Sequence, residues 1–418
     1  MHVDKDRGFR KLSKFDDALR VLLDRVVPVS GEEIDTINGI GRIPINDIVA
    51  DSDSPPFDRA AMDGYALISR YATGASPTNP IRFKVVGEAK TAKPFKGAVG
   101  PYEAVRIDTG APLPEGADAV VMVEDTIRDG EYVDILSPVS PYQNVSIKGE
   151  DIKKGDVIVY GGIPLTPVDV ATLLSIGVEK IDVYRKVRIS IASIGNELVD
   201  IDRPLKEGYI RETNRIVVGG LLDWLPVEIV RSEILRDDYD DIRKFVYESV
   251  RDSDVIVTTG GTSLGMGDYV TDIADELGEV LVHGVALQPS KPVLISIVDG
   301  KPYLGLPGYP VAATISTELI VVPTVMKMAG IRGMVVPTII RARLGRRVAS
   351  RLGFRQIVRV KLRYIGGEYI AEPLWASGAG VMSSLSKADG YLIIPENLEG
   401  YEEGSLVDIL VFRRVIKV

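Results

Sequence analysis

Between residues 187 and 328, short apolar runs alternate with amphipathic stretches, and this alternation leaves few folds open. Strands are expected at 187–193, 227–234, 254–259, 279–285, 292–297 and 302–305, and helices at 213–224, 238–251, 269–276 and 309–328. Such a sequence predicts a parallel or mostly parallel sheet with helices on both faces. Ligands of such sheets bind beyond the carboxyl ends of the strands. Three polar turns fall there: Ser193-Ile-Gly-Asn-Glu197, the glycine-rich turn after Thr259, and Leu306-Pro-Gly-Tyr-Pro310. They are expected to converge.

The glycine-rich turn is the most informative of the three. Asp254 to Thr259 is nearly continuous in apolar residues, the pattern of a buried parallel strand. Gly260, Gly261, Gly265 and Gly267 follow, with hydroxyls at Thr259, Thr262 and Ser263 and a helix after Asp268. Strand, glycine turn and helix together suit an anion, because backbone N–H groups and the helix dipole point at it. No Gly-Lys-Ser/Thr follows and the spacing is not G-x-G-x-x-G, so this is neither common nucleotide motif. Asp268 would repel a phosphate unless a cation such as Mg²⁺ lay between them. The competing reading is a flexible turn ending in a helix-capping Asp.

The bulk numbers exclude several chemistries. A chain of 418 residues predicts three domains at ~150 residues each. Its net charge of −9 makes a nucleic-acid surface an unexpected feature. With no cysteine, thiolate metal sites, disulfides and a cysteine nucleophile are ruled out, which fits a cytoplasmic protein. Only His2 and His283 are present, so a catalytic triad or a His-rich zinc site is excluded in practice. Acid–base and metal chemistry therefore falls to carboxylates, lysine and hydroxyls. The charged N-terminus does not read as a signal peptide, and no run approaches ~20 uncharged apolar residues, so no membrane span is expected. Abundant Ile, Val, Arg and Glu with three glutamines hint at a thermophilic source.

Outside the alternating region the pattern changes twice. Ser13 is expected to open a helix with Asp16 as its capping partner, and Pro28 ends it. Residues 51–144 carry short strands at 81–86, 103–108, 118–124 and 131–136 between Gly, Pro and Asp clusters. After Gly330 only strands are expected, at 335–344, 356–364, 368–373, 390–395 and 406–416, as in a small β-barrel. The expected fold class is multidomain α/β. A mostly parallel three-layer α/β domain (1–27 and 186–330) adjoins a small mixed connecting domain (28–50 and 145–185), a β-rich inserted domain (51–144) and a C-terminal β-barrel-like domain (331–418). Residues 341–363 hold nine Lys or Arg and no acid; their alternation is expected to form a solvated strand face.

Two further clusters stand out: Pro55-Pro-Phe-Asp-Arg-Ala-Ala-Met-Asp-Gly-Tyr65 and Arg106-Ile-Asp-Thr-Gly-Ala-Pro-Leu-Pro-Glu-Gly116. With the glycine turn, and with Gly149-Glu-Asp-Ile152, Gln288-Pro-Ser-Lys-Pro292 and Gly305-Leu-Pro-Gly-Tyr-Pro310 in the same order, they resemble the molybdopterin molybdenumtransferase family, which includes the E domain of gephyrin. The resemblance runs from about residue 12 to the C-terminus. It implies a homodimeric, Mg²⁺-dependent enzyme that inserts molybdate, or tungstate, into adenylylated molybdopterin with release of AMP. The cleft would lie between the α/β domain of one subunit and the β-rich domain of the other. It also implies work alongside a molybdopterin adenylyltransferase and recipient molybdoenzymes. The alternatives are a non-catalytic dimeric scaffold or cofactor carrier of the gephyrin E-domain type, and an adenylyltransferase making the activated substrate from ATP.

On this resemblance Gly260, Gly261, Thr262 and Ser263, after Thr259, hold the pterin's terminal phosphate. Asp63 and Asp268 hold or organise the metal, and Lys291 supplies a point charge for phosphate or molybdate. Glu197 and Asp254 are placed to meet the pterin's amino and ring N–H groups, although Asp254 also reads as structural. Thr109 and Asp151 match cleft positions, or are a turn hydroxyl and a capping carboxylate. Asn214 matches a cleft turn or caps its helix. Ser290, Pro307 and Gly308 belong to the matching turns, and Arg359 resembles an arginine facing the oxyanion. Two departures bear on the choice of oxyanion: Gln288 and Ser290 stand in a Lys-Pro-Gly-Lys-Pro pattern, and Ala379 stands between Gly378 and Gly380 where a serine is common.

Overall fold

The computed structural model describes residues 12–261, 268–333, 338–374 and 380–412. The alternating region forms a six-stranded sheet in the spatial order Val227–Leu235, Val187–Ile194, Val255–Thr259, Lys301–Leu306, Leu294–Val298, Gly278–His283. The first four strands run parallel, and Leu294–Val298 is antiparallel to both its neighbours. The carboxyl ends of five strands therefore share one edge of the sheet.

Side-chain alternation divides the interior into two layers, as a strand buried on both faces requires. Ile189, Ile191, Val255, Val257, Leu304 and Leu306 pack under helices Phe15–Arg25, Asn214–Leu222 and the long helix from Pro310. Ala192, Ile194, Ile256 and Tyr303 pack under Tyr239–Asp252 and Tyr269–Leu277. The first helix differs from the sequence expectation. It starts at Phe15 and has no side-chain cap. Ser13 is instead drawn into backbone pairing, its N–H donating to Gly284 (3.1 Å) and its carbonyl accepting from Ala286 (2.8 Å). Asp16 takes both guanidinium nitrogens of Arg355 at 2.8 and 2.7 Å.

The long helix runs from Pro310 to Met328 and is 67% buried. By length and composition it could cross a bilayer, but its Val311, Ile315, Ile320, Val321 and Val325 belong to the core under the sheet. Its Thr317–Val321 turn is a π-helix immediately before Pro323, whose ring has no N–H to give the preceding turn.

Residues 64–135 form a second six-stranded sheet in the order Ala119–Met122, Gly64–Leu67, Glu103–Ile107, Ile81–Ala89, Tyr132–Ile135, Thr126–Asp129. Between this sheet and the α/β unit, Gly31–Asp35 pairs with Lys180–Tyr184 and Ile48–Val49 with Val157–Val159. Helix Pro167–Ser175 beside them begins with a capping box made by Thr166 and Asp169. Toward the C-terminus, Arg355–Ile365, Glu368–Pro373, Thr338–Leu344, Leu406–Val411 and Gly390–Ile394 close into a barrel, the last strand pairing back on the first. Leu287–Gln288 joins its rim parallel to Arg355–Gln356, tying the barrel to the α/β unit. The basic residues of 341–363 are largely committed to acids: Arg343 to Glu368, Arg346 to Glu372, Arg347 to Glu402, Arg355 to Asp16 and Glu396, and Lys361 to Asp389.

Glu318, in the π turn, faces Tyr391 of the barrel, and Arg359 lies opposite Tyr391 in the strand register. Burial pushes the Glu318 carboxyl up to about 7, against a hydrogen bond from Tyr391 that pulls it down. A carboxyl raised in the folded state keeps a proton that the unfolded chain loses, so stability falls as pH rises from the ordinary glutamate range through about 7. Glu318→Gln is therefore expected to raise the melting temperature more at pH 8 than at pH 5. An equal change at both values in thermal melts would exclude this ionisation cost.

Candidate functional site

The site is built at the carboxyl edge of the α/β sheet. Thr259 ends its strand with 1% exposure, and Gly260 follows with φ 87°. A Cβ at Gly260 would stand 2.4 Å from the Ile194 carbonyl, so only glycine fits this turn. Gly308 closes on it from the neighbouring strand end: its Cβ position lies 3.2 Å from the Gly260 Cα. Asn214 clamps the two together, donating from Nδ2 to the Thr259 hydroxyl (3.2 Å) and to the Gly308 carbonyl (2.9 Å). Gly261, also at positive φ, abuts Val270 of the following helix, and Pro307 is buried beneath the turn. Thus the Ser193, Thr259 and Leu306 turns meet, as the chain pattern predicts. Glu197 is exposed beside Gly195 on the same edge. Thr262 and Ser263 lie outside the described residues, as does Ala379.

Asp268 is half-buried and caps helix Tyr269–Leu277. Its carboxylate accepts from the Thr271 N–H (3.2 Å) and hydroxyl (2.9 Å), and His283 Nε2 lies 3.2 Å away. The capping reading is therefore met, and a function for the same carboxylate must share it with these donors. The sequence alone assigns His283 no role. Its position at the carboxyl end of Gly278–His283 is what brings it to Asp268.

Lys291 is exposed on the loop after Gln288, and its carbonyl accepts from Val285 and Val293 N–H groups at 2.9 and 3.0 Å. Ser290 beside it is 3% exposed, and its hydroxyl donates to the Ala312 carbonyl at 2.8 Å. The Ser290 proton thus holds the loop to the long helix. Arg359 is buried in the barrel, and burial lowers its guanidinium from the ordinary value.

The surroundings of Asp254 are those of its structural alternative. It precedes the strand Val255–Thr259, so it sits at the amino end of the sheet, away from the glycine turn by the strand's length, on the order of 16 Å at ~3.3 Å per residue. Both its oxygens pair with Arg185, at 2.6 and 2.7 Å, and the Arg188 N–H adds a third bond at 2.8 Å. Burial alone would raise this carboxyl, but Arg185 and Arg188 hold it below the ordinary range. It is a structural anchor.

A second group of candidates assembles in the β-rich sheet. Asp63 Oδ1 accepts from both the Thr109 N–H (2.7 Å) and hydroxyl (2.8 Å). The Thr109 N–H, then its hydroxyl and the nearby charge of Arg106, hold this exposed carboxyl below the usual range. Backbone bonds between Ala60 and Ala111, Gly110 and Ala60, and Ala61 and Asn144 weave the three loops into one surface. Asp151 lies on that surface, its N–H bonded to the Ser54 carbonyl at 3.1 Å. The two groups of one chain share no hydrogen bond among the described residues. No set of three His, Asp or Glu residues able to hold a metal occurs among the described residues either.

A strand, glycine turn and capped helix at the carboxyl edge of a mixed sheet define an α/β protein built to hold an anionic ligand there. Comparison with known proteins is specific. Residues 13–177 match the MoeA N-terminal region (domain I and II), 190–327 the family described as "Probable molybdopterin binding domain", and 341–412 the MoeA C-terminal region (domain IV). A protein of Methanocaldococcus jannaschii named for molybdopterin biosynthesis is 36% identical over 97% of this chain and 96% of its own length. A molybdopterin molybdenumtransferase of Staphylococcus aureus is 34% identical over 89% of this chain and 88% of its own. The crystal structure of a molybdopterin biosynthesis MoeA protein from Pyrococcus horikoshii superposes with a TM-score of 0.84 at 36% identity, covering 96% of this chain and all of that one. The chain belongs to the MoeA family.

The structural reading of Asp254 has a direct consequence. Asp254→Ala should cost about 2–3 kcal/mol, below the range for a fully buried pair because Arg185 is 26% exposed. Denaturant melts should show that loss, while ligand affinity at the glycine turn stays within about two-fold.

Proposed function

We propose that the chain transfers molybdate, or tungstate, into adenylylated molybdopterin and releases AMP. The observation that carries this reading is the clamp of Gly308 on Gly260 by Asn214, which opens bare backbone at the carboxyl edge of the sheet. The names of the matching family and relatives support the substrate class.

In this reading the glycine turn takes the terminal phosphate of the pterin, and Lys291 neutralises charge beside it. Arg359 meets the oxyanion from the barrel side. Mg²⁺ typically binds through one or two carboxylates plus substrate phosphates. The donors here fit that sparse set: Asp63 bonds to Thr109 through Oδ1 alone, leaving Oδ2 for a further ligand. Asp63 and Asp268 would hold the ion, which would supply charge neutralisation at the anhydride phosphates.

Asp63 and Asp268 lie beside two different sheets whose site groups share no hydrogen bond among the described residues, which supports a cleft shared between two subunits of a homodimer. Phe57 and Met62, 44% and 45% exposed on the Asp63 loop, are apolar surface suited to such a junction.

The first test is AMP release from adenylylated molybdopterin with Mg²⁺, titrating molybdate and tungstate in parallel. Oxyanion-stimulated release is expected, and no release with either anion would refute the transferase reading. Asp63→Ala and Asp268→Ala should each reduce release by at least about 100-fold. Mixing the two inactive variants should restore about a quarter of wild-type activity, since half the dimers are mixed and each has one intact cleft. No recovery after verified subunit exchange would place both aspartates in a single subunit's site.

A further inference from the structure

Glu212 is a carboxylate with 3% exposure, lying just ahead of helix Asn214–Leu222 and behind the glycine turn. It starts a row of hydrogen bonds that ends at Thr259 and Gly308. Its Oε1 accepts from the Ser193 hydroxyl (2.7 Å) and the Arg215 N–H (3.0 Å), and its Oε2 from Arg215 Nε (2.9 Å). Arg215 in turn reaches Asp200 (2.7 Å) and the Ser232 carbonyl (3.0 Å), so it is fixed from three sides.

The charge of Glu212 at one end and the Gly308 carbonyl at the other together fix the direction of every bond in the row. An ionised carboxylate can only accept, so the single proton of Ser193 points at Glu212. Ser193 Oγ, 2.9 Å from Thr259 Oγ1, can then only accept from it. Thr259 has spent its proton and can only accept from Asn214 Nδ2. The second Nδ2 hydrogen goes to the Gly308 carbonyl, which has no proton to give. Both amide hydrogens of Asn214 are thereby committed. What Asn214 retains for a ligand is its carbonyl Oδ1, an acceptor.

We propose that Glu212 is a positioning residue that sets the polarity of this row, so that Asn214 is held as an acceptor for a ligand N–H or O–H group. The phosphate, which only accepts, is left to the backbone of the glycine turn. An acceptor beside open backbone N–H groups suits a ligand that carries an N–H or O–H group close to its phosphate. It rests on the proposed reading of the site as a molybdopterin-phosphate site.

The test uses the full-length chain and two measurements: equilibrium binding of molybdopterin, and the KM and kcat of AMP release. Glu212→Gln puts an amide N–H against Arg215 in either orientation, at its backbone N–H or at its Nε, so a donor faces a donor and the row loses the charge that directs it. Binding of molybdopterin is expected to weaken about 10-fold, and KM to rise similarly with kcat changed by less than about three-fold. Thr259→Val interrupts the row at nearly constant volume and should show the same pattern, while Thr259→Ser restores the hydroxyl and should recover most of the affinity. If Glu212→Gln does not fold, the Thr259 pair decides. Wild-type KM in Glu212→Gln, or equal losses in Thr259→Val and Thr259→Ser, would overturn the proposal. A wild-type protein that neither binds molybdopterin nor releases AMP would overturn the functional reading instead.

Discussion

The close approach of two backbone turns governs the site. Gly308 and Gly260 come from adjacent parallel strands, Lys301–Leu306 and Val255–Thr259, whose register pairs Leu306 with Thr259. Because both strands are buried on both faces, the register cannot slip without moving apolar side chains out of the two cores. The turns that follow are thus delivered to one place, and the lack of side chains lets them touch. Asn214 secures the contact from a third element. A rigid, polar, open-backbone edge results from the ordinary geometry of a buried parallel sheet.

The barrel is coupled to that edge through a short stretch of chain. Leu287–Gln288 pairs with barrel residues Arg355–Gln356, and two residues later Ser290 bonds to the long helix at Ala312. Lys291 is therefore presented by a loop gripped at both ends. Arg355 grips the first helix through Asp16 and its own barrel through Glu396. Tyr391 reaches into the α/β core. These links set Arg359 and Lys291 relative to the sheet, so that domains far apart in sequence act as one support.

A different logic governs the β-rich domain. Its loops are knitted by backbone hydrogen bonds among three segments, and Asp63 is held by Thr109. This rigid, exposed, acidic surface has no described hydrogen bond to the glycine turn of its own chain.

Periodicity alone marked the α/β unit and both flanking β regions, because burial on one or two faces writes itself into residue spacing. The glycine turn was legible for the same kind of reason: positive φ and close approach admit only glycine at position 260. Asp268 as a cap was equally local. Other features depended on partners that lie tens of residues away in the chain. Asp254 reads from the sequence as a site carboxylate or a structural one, and its pairing with Arg185 shows only in the fold, as does the bond from Ser290 to Ala312. Glu212 draws no role from the segment Arg211-Glu-Thr-Asn-Arg215 itself, and only burial against Ser193 and Arg215 gives it a part. The sequence by itself determined the elements, the faces they bury and the turns that must be glycine, since these follow from local sterics and hydrophobic spacing. The tertiary structure alone decided which polar groups are spent on one another and which are left for a ligand, since that depends on hydrogen-bond partners only the folded chain brings together.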